Sequence, residues 1–268
     1  MLADANPYGL VRHSSLPAPT VRLSRLSWDR VLDEEPLEPG NDLRPNVSYD
    51  PEAILALIYT DGTTGRPKGV MVTHANILAN VHHFNYWMRY EEGAVYLHAA
   101  PMFHIADFPS MFAAPAFGAC QITIPKFTPQ SFCEMVERER VSHTVLVPTM
   151  INMLVQSPEA KNYELSSLKV LAYGGSPMAP ELIHRTRAFL PKVKLVQVYA
   201  LSETGFLTGL QDHEHVDGRL LSCGRPCPGI DIQIVDASGK PVDTGKPGAV
   251  GARGANVMRG LLEQSKRY

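Results

Sequence analysis

The chain of 268 residues has few cysteines, almost no excess charge and no long apolar run. Its four cysteines, Cys120, Cys133, Cys223 and Cys227, are too few and too unevenly spaced for a disulfide-dense scaffold. The 25 basic and 27 acidic residues give a net charge of −2, which argues against nucleic-acid binding. No apolar run reaches the roughly 20 residues that a membrane span needs, and the first residues do not resemble a secretory signal. We therefore expect a cytoplasmic protein.

Short apolar segments alternate with helical patterns between residues 51 and 210. Aliphatic segments bounded by Gly or Pro predict buried strands at 54–60, 95–100, 120–125, 143–148, 169–175 and 195–200. Helical periodicity and capping residues predict helices at 74–90, 129–140 and 181–190. This alternation predicts an α/β fold, in which a mostly parallel sheet is flanked by helices.

The two ends of the chain differ in texture from this middle part. Residues 1–50 are rich in Pro and Arg and have weak periodicity, so we interpret them as a connecting segment. After about residue 210, the segment 230–235 alternates with period two and is followed by turn residues. We therefore predict an α/β subdomain at 51–210 and part of a small antiparallel β subdomain at 211–268.

The strongest site signal is a loop rich in glycine and threonine at residues 60–70, directly after the first predicted strand. Glycine amides, hydroxyl groups and one ammonium group suit a polyphosphate; they come from Thr60, Gly62, Thr63, Thr64, Gly65 and Lys68. The loop differs from the common P-loop because Gly69, rather than Ser or Thr, follows Lys68. An ordinary surface turn between a strand and a helix is the alternative interpretation.

Three further segments follow predicted strands, where open α/β sheets bind ligands. They are Tyr173-Gly174-Gly175-Ser176-Pro177, the segment 197–204 with Tyr199, Ser202 and Glu203, and Pro101-Met102-Phe103-His104. Taken alone, each has a structural interpretation, as a strand-to-helix turn, a solvated loop acid or a hydrogen-bonded histidine.

Together with the loop at 60–70 and the following Thr73-His74-Ala75-Asn76, these segments resemble the motifs of adenylate-forming ligases, in particular AMP-dependent acyl-CoA synthetases. The resemblance covers residues 50 to about 260. It implies that residues 173–177 lie along adenine, that Tyr199 stacks on it, and that Ser202 donates to the α-phosphate. It also implies that Glu203 binds Mg²⁺, which prefers carboxylate oxygen beside phosphate. His104 is then assigned to substrate positioning, and Lys68 to the phosphates.

By this resemblance the chain takes part in activating a fatty or aryl carboxylic acid with ATP and Mg²⁺ and transferring the acyl group to CoA. A homodimer is a candidate oligomeric state. The pattern departs from the family at Asp61, where Ser is usual. A carboxylate 4 Å from another negative charge is repelled by about 1 kcal/mol in water and about 4 kcal/mol at an effective dielectric of 20. The family's preceding subdomain and its mobile C-terminal domain with a catalytic lysine have no counterpart, so we expect a central fragment.

Two other functions stay open. The first is an ester or thioester hydrolase that uses Ser176 or Ser202 as nucleophile with His104 nearby, although the chain has no Gly-x-Ser-x-Gly elbow. The second is a nucleotide-binding module without catalysis. Asp212-His213-Glu214-His215 is interpreted as a solvated polar loop rather than a metal site, and the cysteines lack the ligand spacing of a zinc site.

Overall fold

The computed structural model describes residues 50–60 and 68–262. In chain order the strands are β1 (Ile54–Thr60), β2 (Lys68–Thr73), β3 (Val95–His98), β4 (Cys120–Thr123), β5 (His143–Leu146), β6 (Val170–Gly174), β7 (Lys194–Leu201), β8 (Gly205–Leu210), β9 (Arg225–Pro226), β10 (Asp231–Val235), β11 (Ala249–Arg253) and β12 (Gly260–Leu262). The α-helices are α1 (His74–Met88), α2 (Ser110–Ala116), α3 (Pro129–Glu139), α4 (Pro148–Gln156) and α5 (Pro180–Phe189). Short 3₁₀ helices lie at Glu159–Asn162 and Asp212–Glu214.

Seven strands form the central sheet in the order β4-β3-β5-β6-β7-β8-β9. The strands from β4 to β7 are parallel, whereas β8 and β9 continue the sheet in antiparallel pairing. Parallel neighbours need a crossover, and helices supply it between the strands. The predicted mostly parallel α/β fold is therefore confirmed.

Helices cover both faces of this sheet, and successive strand residues alternate between the two cores. On one face Tyr96, Val145, Ala172 and Val196 pack with residues of α1 and α2. On the other face the residues one position away, Leu97, Leu146, Leu171 and Leu195, pack with residues of α3, α4 and α5. Because both faces are buried, the strands read as continuous apolar segments in the sequence.

The first predicted strand does form, but its assignment to the buried parallel sheet was wrong. β1 pairs antiparallel with β2, and β12 adds a third strand to this separate sheet. In β1 only Ile58 is buried. The predicted phosphate-binding segment is consequently followed by a strand that pairs with β1 rather than directly by a helix. The sequence interpretation missed β2 because it treated residues 68–70 as part of the loop and assigned no strand to residues 71–73.

Helix α1 begins immediately after this hairpin. The Thr73 hydroxyl accepts the N–H of Asn76 at 3.2 Å, and the Asn76 side chain accepts the N–H of Thr73 at 3.0 Å. This reciprocal capping satisfies two backbone donors that the first helical turn leaves free. The chain therefore passes from β2 into α1 with no intervening loop.

The remaining predictions differ from the structure mainly at element ends. Pro148 starts helix α4 instead of ending strand β5. Neither α4 nor α2, which contains Pro115, was predicted. Thr128 caps α3 as expected. The strand predicted at 230–235 is β10, paired antiparallel with β11. The division at residue 210 stays a prediction, and across it β9 pairs with β8 and β12 with β2.

Residues 1–49 lie outside the described residues. No helix at 50–60 or 68–262 has the length and apolarity that crossing a membrane requires.

Candidate functional site

A cavity of about 330 Å³ opens at the carboxyl ends of the central parallel strands. Its walls come from β5, β6 and β7, from the loop after β3, from the β7–β8 turn and from both ends of the β1–β2 hairpin loop. The lining residues are Thr60, Lys68, His104, Ile105, Ala106, Val145, Gly174, Gly175, Val198, Ala200, Leu201, Ser202, Glu203 and Phe206. Four predicted site segments therefore contribute to one space, which we call the main cavity.

Thr60 and Lys68 are cross-strand partners, and they form the last pair of β1 and β2 before the connection at residues 61–67. Both line the main cavity, so the loop between them starts and ends at its wall. Asp61, Gly62, Thr63, Thr64 and Gly65 lie outside the described residues. Their assignment to phosphate binding stays a prediction.

Gly174 and Gly175 form the cavity wall at the end of β6. A Cβ atom at Gly174 would lie 2.3 Å from the carbonyl oxygen of Val198, so the sheet admits only glycine there without moving. Gly175 has a φ of +79°, a left-handed conformation that glycine adopts freely. The sequence Gly-Gly is therefore required by the close approach of β7 and by the turn that follows β6.

A second cavity of about 240 Å³ adjoins the main cavity. The two cavities share Gly175, Val198, Ala200 and Leu201. The remaining lining residues of the second cavity are Tyr173, Ser176, Pro177, Met178, Gln197, Tyr199, Leu220, Leu221, Ser222 and Cys223. Of the predicted adenine segment, Tyr173, Gly175, Ser176 and Pro177 line the second cavity, and Gly174 lines only the main cavity.

Tyr173 is held in place by a histidine that the sequence interpretation had placed in solvent. The Tyr173 hydroxyl donates to Nε2 of His215 at 2.9 Å when His215 Nδ1 donates to the Gln211 carbonyl, also at 2.9 Å. Tyr173 is 1% exposed and His215 8% exposed. Burial raises the pKa of the Tyr173 hydroxyl and lowers the pKa of His215. Tyr173 therefore supports the second cavity from within the core.

In the segment 212–215, Glu214 and His215 are buried whereas Asp212 is half-buried and His213 is exposed, so its interpretation as a solvated loop was wrong for Glu214 and His215. Asp212 accepts a hydrogen bond from Arg187 at 2.9 Å, and Glu214 pairs with Arg225 at 2.7 Å. The hydrogen bond with Arg225 is the main cause that lowers the pKa of Glu214. Across residues 50–60 and 68–262, no three His, Cys, Asp or Glu side chains are grouped as metal ligands.

Ser202 and Glu203 lie in the turn between β7 and β8. Asn80 of α1 accepts the N–H of Phe206 at 2.9 Å, and Asn256 donates to the carbonyl of Thr204 at 2.6 Å. A Cβ atom at Gly205 would collide with the Asn80 amide at 2.1 Å. The turn is thus clamped from two sides. The sequence analysis missed these asparagines because amides on a helix and in a loop carry no motif.

The Glu203 carboxylate faces the main cavity without a basic partner among the described residues. Its backbone carbonyl accepts the N–H of Met258 at 2.9 Å, which fixes the main chain. Glu203 is half-buried. A carboxylate held in this way offers hard oxygen ligands to a cation, and Lys68 at the same cavity offers positive charge to an anion.

His104 lies on the exposed loop after β3 and reaches the main cavity. Its Nδ1 accepts the N–H of Ala106 at 3.2 Å, so in the neutral ring Nε2 carries the proton. His104 shares the main cavity with Ser202, whereas Ser176 lines the second cavity. In the part of the chain that the structure describes, no hydrogen bond joins His104 to either serine.

The two cavities adjoin at the carboxyl ends of parallel strands, the place where α/β domains commonly bind small molecules. A family model described as "AMP-binding enzyme" matches residues 9–262, and the chain belongs to this family. The resemblance stated from the sequence motifs is therefore confirmed.

Curated relatives are acid–CoA ligases. The chain is 31% identical over 229 residues to 4-coumarate:CoA ligase 1 of Petunia hybrida, an alignment that covers 81% of this chain and 42% of the relative. It is 33% identical over 264 residues to the feruloyl-CoA synthase of an Amycolatopsis species, covering 97% of this chain and 52% of the relative. The chain thus spans about half the length of the curated relatives it matches.

Solved structures agree with this assignment. The inhibitor-bound N-terminal domain of FACL13 from Mycobacterium tuberculosis has a TM-score of 0.75 and 26% identity, covering 82% of this chain and 55% of that one. The amide bond synthetase McbA from Marinactinospora thermotolerans has a TM-score of 0.72 and 27% identity, covering 80% and 42%. ATP-bound MatB from Rhodopseudomonas palustris has a TM-score of 0.70 and 25% identity, covering 81% and 43%.

Proposed function

We propose that this chain forms the nucleotide- and acyl-binding part of an AMP-forming acyl-CoA ligase that acts on a hydrophobic carboxylic acid. The observation that carries the proposal is the main cavity, where Thr60 and Lys68, His104 and Glu203 meet although they come from distant parts of the sequence. The proposed reaction needs three groups in one place: a positive charge near the phosphates, a histidine and a carboxylate.

We assign the phosphates of ATP to the wall formed by the hairpin and the β7–β8 turn. Lys68 supplies positive charge, and Thr60 and Ser202 supply hydroxyl donors. The loop residues Gly62, Thr63, Thr64 and Gly65 are proposed to add backbone amides and hydroxyls to the same phosphates. Because the clamped turn fixes Ser202, its hydroxyl needs little rearrangement to meet the α-phosphate.

The second cavity is assigned to adenine. Its walls are mostly apolar, and its lining includes Tyr199, the turn Gly175-Ser176-Pro177, Leu220 and Leu221. A flat aromatic base gains from stacking on a tyrosine ring and from burial against leucine side chains. The two cavities share Gly175 and Val198 as lining residues, so we propose that a nucleotide places its base in one and its phosphates in the other.

Glu203 fits the binding of Mg²⁺, since its carboxylate has no basic partner among the described side chains and lies on the wall assigned to the phosphates. Mg²⁺ bound there would neutralise charge on the phosphate oxygens. Glu203 itself contributes by keeping its main chain fixed through Met258 and by leaving its carboxylate available to the cavity.

The acyl group is assigned to the apolar part of the main cavity. Ile105, Val145, Val198 and Phe206 line it, and among residues 50–60 and 68–262 Glu203 is its only acidic lining residue. The volume of about 330 Å³ is at the lower end of small-molecule pockets. Relatives named for 4-coumarate and ferulate favour an aryl acid over a long fatty acid.

In the proposed reaction a carboxylate oxygen of the acid forms a bond to the α-phosphorus of ATP, and the bond to the pyrophosphate oxygen breaks. The thiolate of CoA then attacks the acyl carbon, and AMP leaves with the electron pair of the broken bond. Lys68 stabilises the negative charge of the phosphates, and His104 holds the carboxylate in line. These contributions are positioning and charge stabilisation.

Calorimetric titration with AMP and with nonhydrolysable acyl-sulfamoyl adenosines tests the binding proposal, and ATP–pyrophosphate exchange with a panel of aryl and fatty acids tests the first chemical step. We expect tighter binding of the acyl-adenosine mimics than of AMP, and exchange that depends on an aryl acid. A folded chain that binds neither AMP nor any mimic contradicts the proposal. Binding of AMP without exchange for any acid favours the non-catalytic alternative.

Ester hydrolysis is the second candidate, favoured by the presence of Ser202 and His104 at the same cavity. Turnover of p-nitrophenyl esters that is lost in both Ser202→Ala and His104→Ala would support it. Ser176→Ala is the matched control, because Ser176 lines only the adjoining cavity. Turnover at the wild-type rate in all three variants removes these residues from any hydrolytic mechanism.

A further inference from the structure

The loop at 99–106, between β3 and α2, separates two cavities. Residues 104–106 line the main cavity, whereas residues 99–103 line a different cavity of about 630 Å³. The residues that flank this loop, His98 and Asp107, are joined by a hydrogen bond of 2.8 Å between Nδ1 and Oδ2. His98 and Asp107, which we call the clasp, therefore close the base of an eight-residue loop.

The clasp is embedded in a buried polar network. Asp107 is 1% exposed and His98 3% exposed. The second carboxylate oxygen of Asp107 accepts hydrogen bonds from Tyr96 at 2.7 Å and Ser110 at 2.5 Å. Nε2 of His98 lies 2.8 Å from the side-chain oxygen of Gln121. Strands β3 and β4 and helix α2 thus all hold the clasp.

A buried carboxylate is costly in a hydrophobic core unless hydrogen bonds compensate it. An apolar residue of similar size at position 107 would pack the core without this requirement. Neither oxygen of Asp107 serves the main cavity, because Asp107 is absent from its lining. The network therefore has a geometric consequence rather than a direct contact with a ligand: it fixes both ends of the loop.

The end of the loop at Asp107 is coupled to His104 by backbone hydrogen bonds. The His104 carbonyl accepts the N–H groups of Asp107 at 3.0 Å and Phe108 at 2.9 Å, and the N–H of His104 donates to the Pro101 carbonyl at 3.0 Å. The ring of His104 is further held by the N–H of Ala106. A shift of Asp107 must therefore move the backbone that carries the His104 ring.

We infer that the His98–Asp107 clasp positions the wall His104–Ala106 of the main cavity, and that both clasp residues are positioning residues for the carboxylic acid. The positioning of the wall His104–Ala106 is a matter of geometry alone, whereas the consequence for the acid rests on the proposed function. The experiment therefore measures the two separately.

Two isosteric substitutions at His98 separate the clasp from the rest of the network. The amide nitrogen of Asn reaches the place of Nδ1, so His98→Asn retains a donor to Asp107 and loses the contact with Gln121. The amide of Gln reaches the place of Nε2, so His98→Gln loses the donor to Asp107. Asp107→Asn replaces the acceptor of the His98 Nδ1–H with an NH2 group, so it breaks the clasp for the Nδ1–H tautomer of His98.

Nitrogen NMR of the histidine side chains reads the position of His104 without any activity, with its signals assigned by their loss in His104→Ala. We expect the separate Nδ1 and Nε2 signals of a single tautomer in the wild type and in His98→Asn. In His98→Gln and Asp107→Asn we expect them to move towards averaged values. Folded variants that all keep wild-type His104 signals, or equal changes in the two His98 variants, would overturn the inference.

Pyrophosphate exchange measures the consequence for the acid. We expect His98→Gln and Asp107→Asn to raise the KM for the acid about tenfold, with the KM for ATP within twofold. In the His104→Ala background the effect of Asp107→Asn should fall below twofold, because Asp107 acts through His104. An undiminished effect in that background overturns the positioning role. If the NMR changes occur in a protein with no exchange, the geometric inference stands and the proposed function fails.

Ser142→Ala is the control for general loss of stability. Ser142 is also buried, and its hydroxyl bonds the backbone of Val95 and the ring of His143 at the opposite end of β3. We expect this variant to lose stability while the His104 signals and the KM for the acid stay at wild-type values. A shift of either in Ser142→Ala would count against the inference.

Discussion

Replacement of Gly174 by alanine is the most direct test of the geometry beneath the main cavity. A Cβ atom at Gly174 would lie 2.3 Å from the carbonyl oxygen of Val198 and 3.0 Å from its Cγ2 atom. Relief requires β6 and β7 to separate, and the obstructing atom belongs to the backbone of a central strand. Overpacking a tight interior costs about 1–3 kcal/mol, and we expect about 3 kcal/mol here. At roughly 2–4 °C per kcal/mol for a chain of this size, the Tm should fall by about 6–12 °C.

Urea unfolding and thermal unfolding measure this loss, and Gly251→Ala is the matched control. Gly251 also lies in a strand, but its nearest neighbouring atom is 3.5 Å from the added Cβ, so its free energy of unfolding should change by less than about 0.5 kcal/mol. Gly174 and Val198 both line the main cavity, so any Gly174→Ala protein that folds should also bind AMP more weakly. Unchanged unfolding of Gly174→Ala would refute the close approach of the two strands.

Three further predictions concern charge. Lys68→Ala should weaken ATP binding by about 1.5–3 kcal/mol, the range for hydrogen bonds to charged groups. Lys246→Ala is the control and should leave the ATP affinity measured by calorimetric titration unchanged. Equal losses of ATP affinity in the two variants would argue against a phosphate role for Lys68. Glu203→Gln should abolish most of the gain in ATP affinity that Mg²⁺ gives, and a wild-type gain in this variant would contradict the assigned ligand. Burial lowers the pKa of His143 to about 4, so the native state binds fewer protons than the unfolded state between about pH 4 and 6.5. The free energy of unfolding should therefore fall by at most about 3 kcal/mol as the pH falls through this window. His143→Gln should flatten the dependence of the urea midpoint on pH, whereas His184→Gln, at an exposed position, should leave it unchanged. A wild-type pH dependence in His143→Gln would contradict this origin.

The parallel part of the fold was predictable because its strands are buried on both faces. Leu171 and Ala172, for example, face opposite cores, so every position is apolar and the segment stands out from its neighbours. Strand β2 was missed for the opposite reason: its glycine and lysine were taken as loop residues, and pairing with β1 and β12 is not visible in local sequence. Tertiary pairing decided that segment rather than its own pattern.

The candidate site was predictable only where residues lie in linear motifs. His104 and Glu203 each follow a strand of the central sheet, so their meeting at one edge of it could be expected from the sequence, whereas Lys68 begins β2 of the separate sheet. Asp107 and Asn256 could not, because a buried polar side chain is recognised by its partners and these are distant in sequence. Even so, Asp107 lies three residues after His104, and an acidic residue among apolar neighbours was the available signal.

The hairpin and the turn that carries Glu203 share one rigid support. Helix α1 starts at the end of β2 with no intervening loop, and Asn76 and Asn80 lie one turn apart on the same face. Asn76 donates to the carbonyls of Ala255 and Val257, each at 2.8 Å, and Asn80 holds the N–H of Phe206. The separation between Lys68 and Glu203 is consequently set by a helix and its amides rather than by two independent loops. We expect side chains carried on backbone held in this way to need little rearrangement when charge develops, and preorganisation of this kind is the largest single contribution in many enzymes. Helix α1, although it contributes no side chain to the main cavity, is therefore the element on which its electrostatics depend.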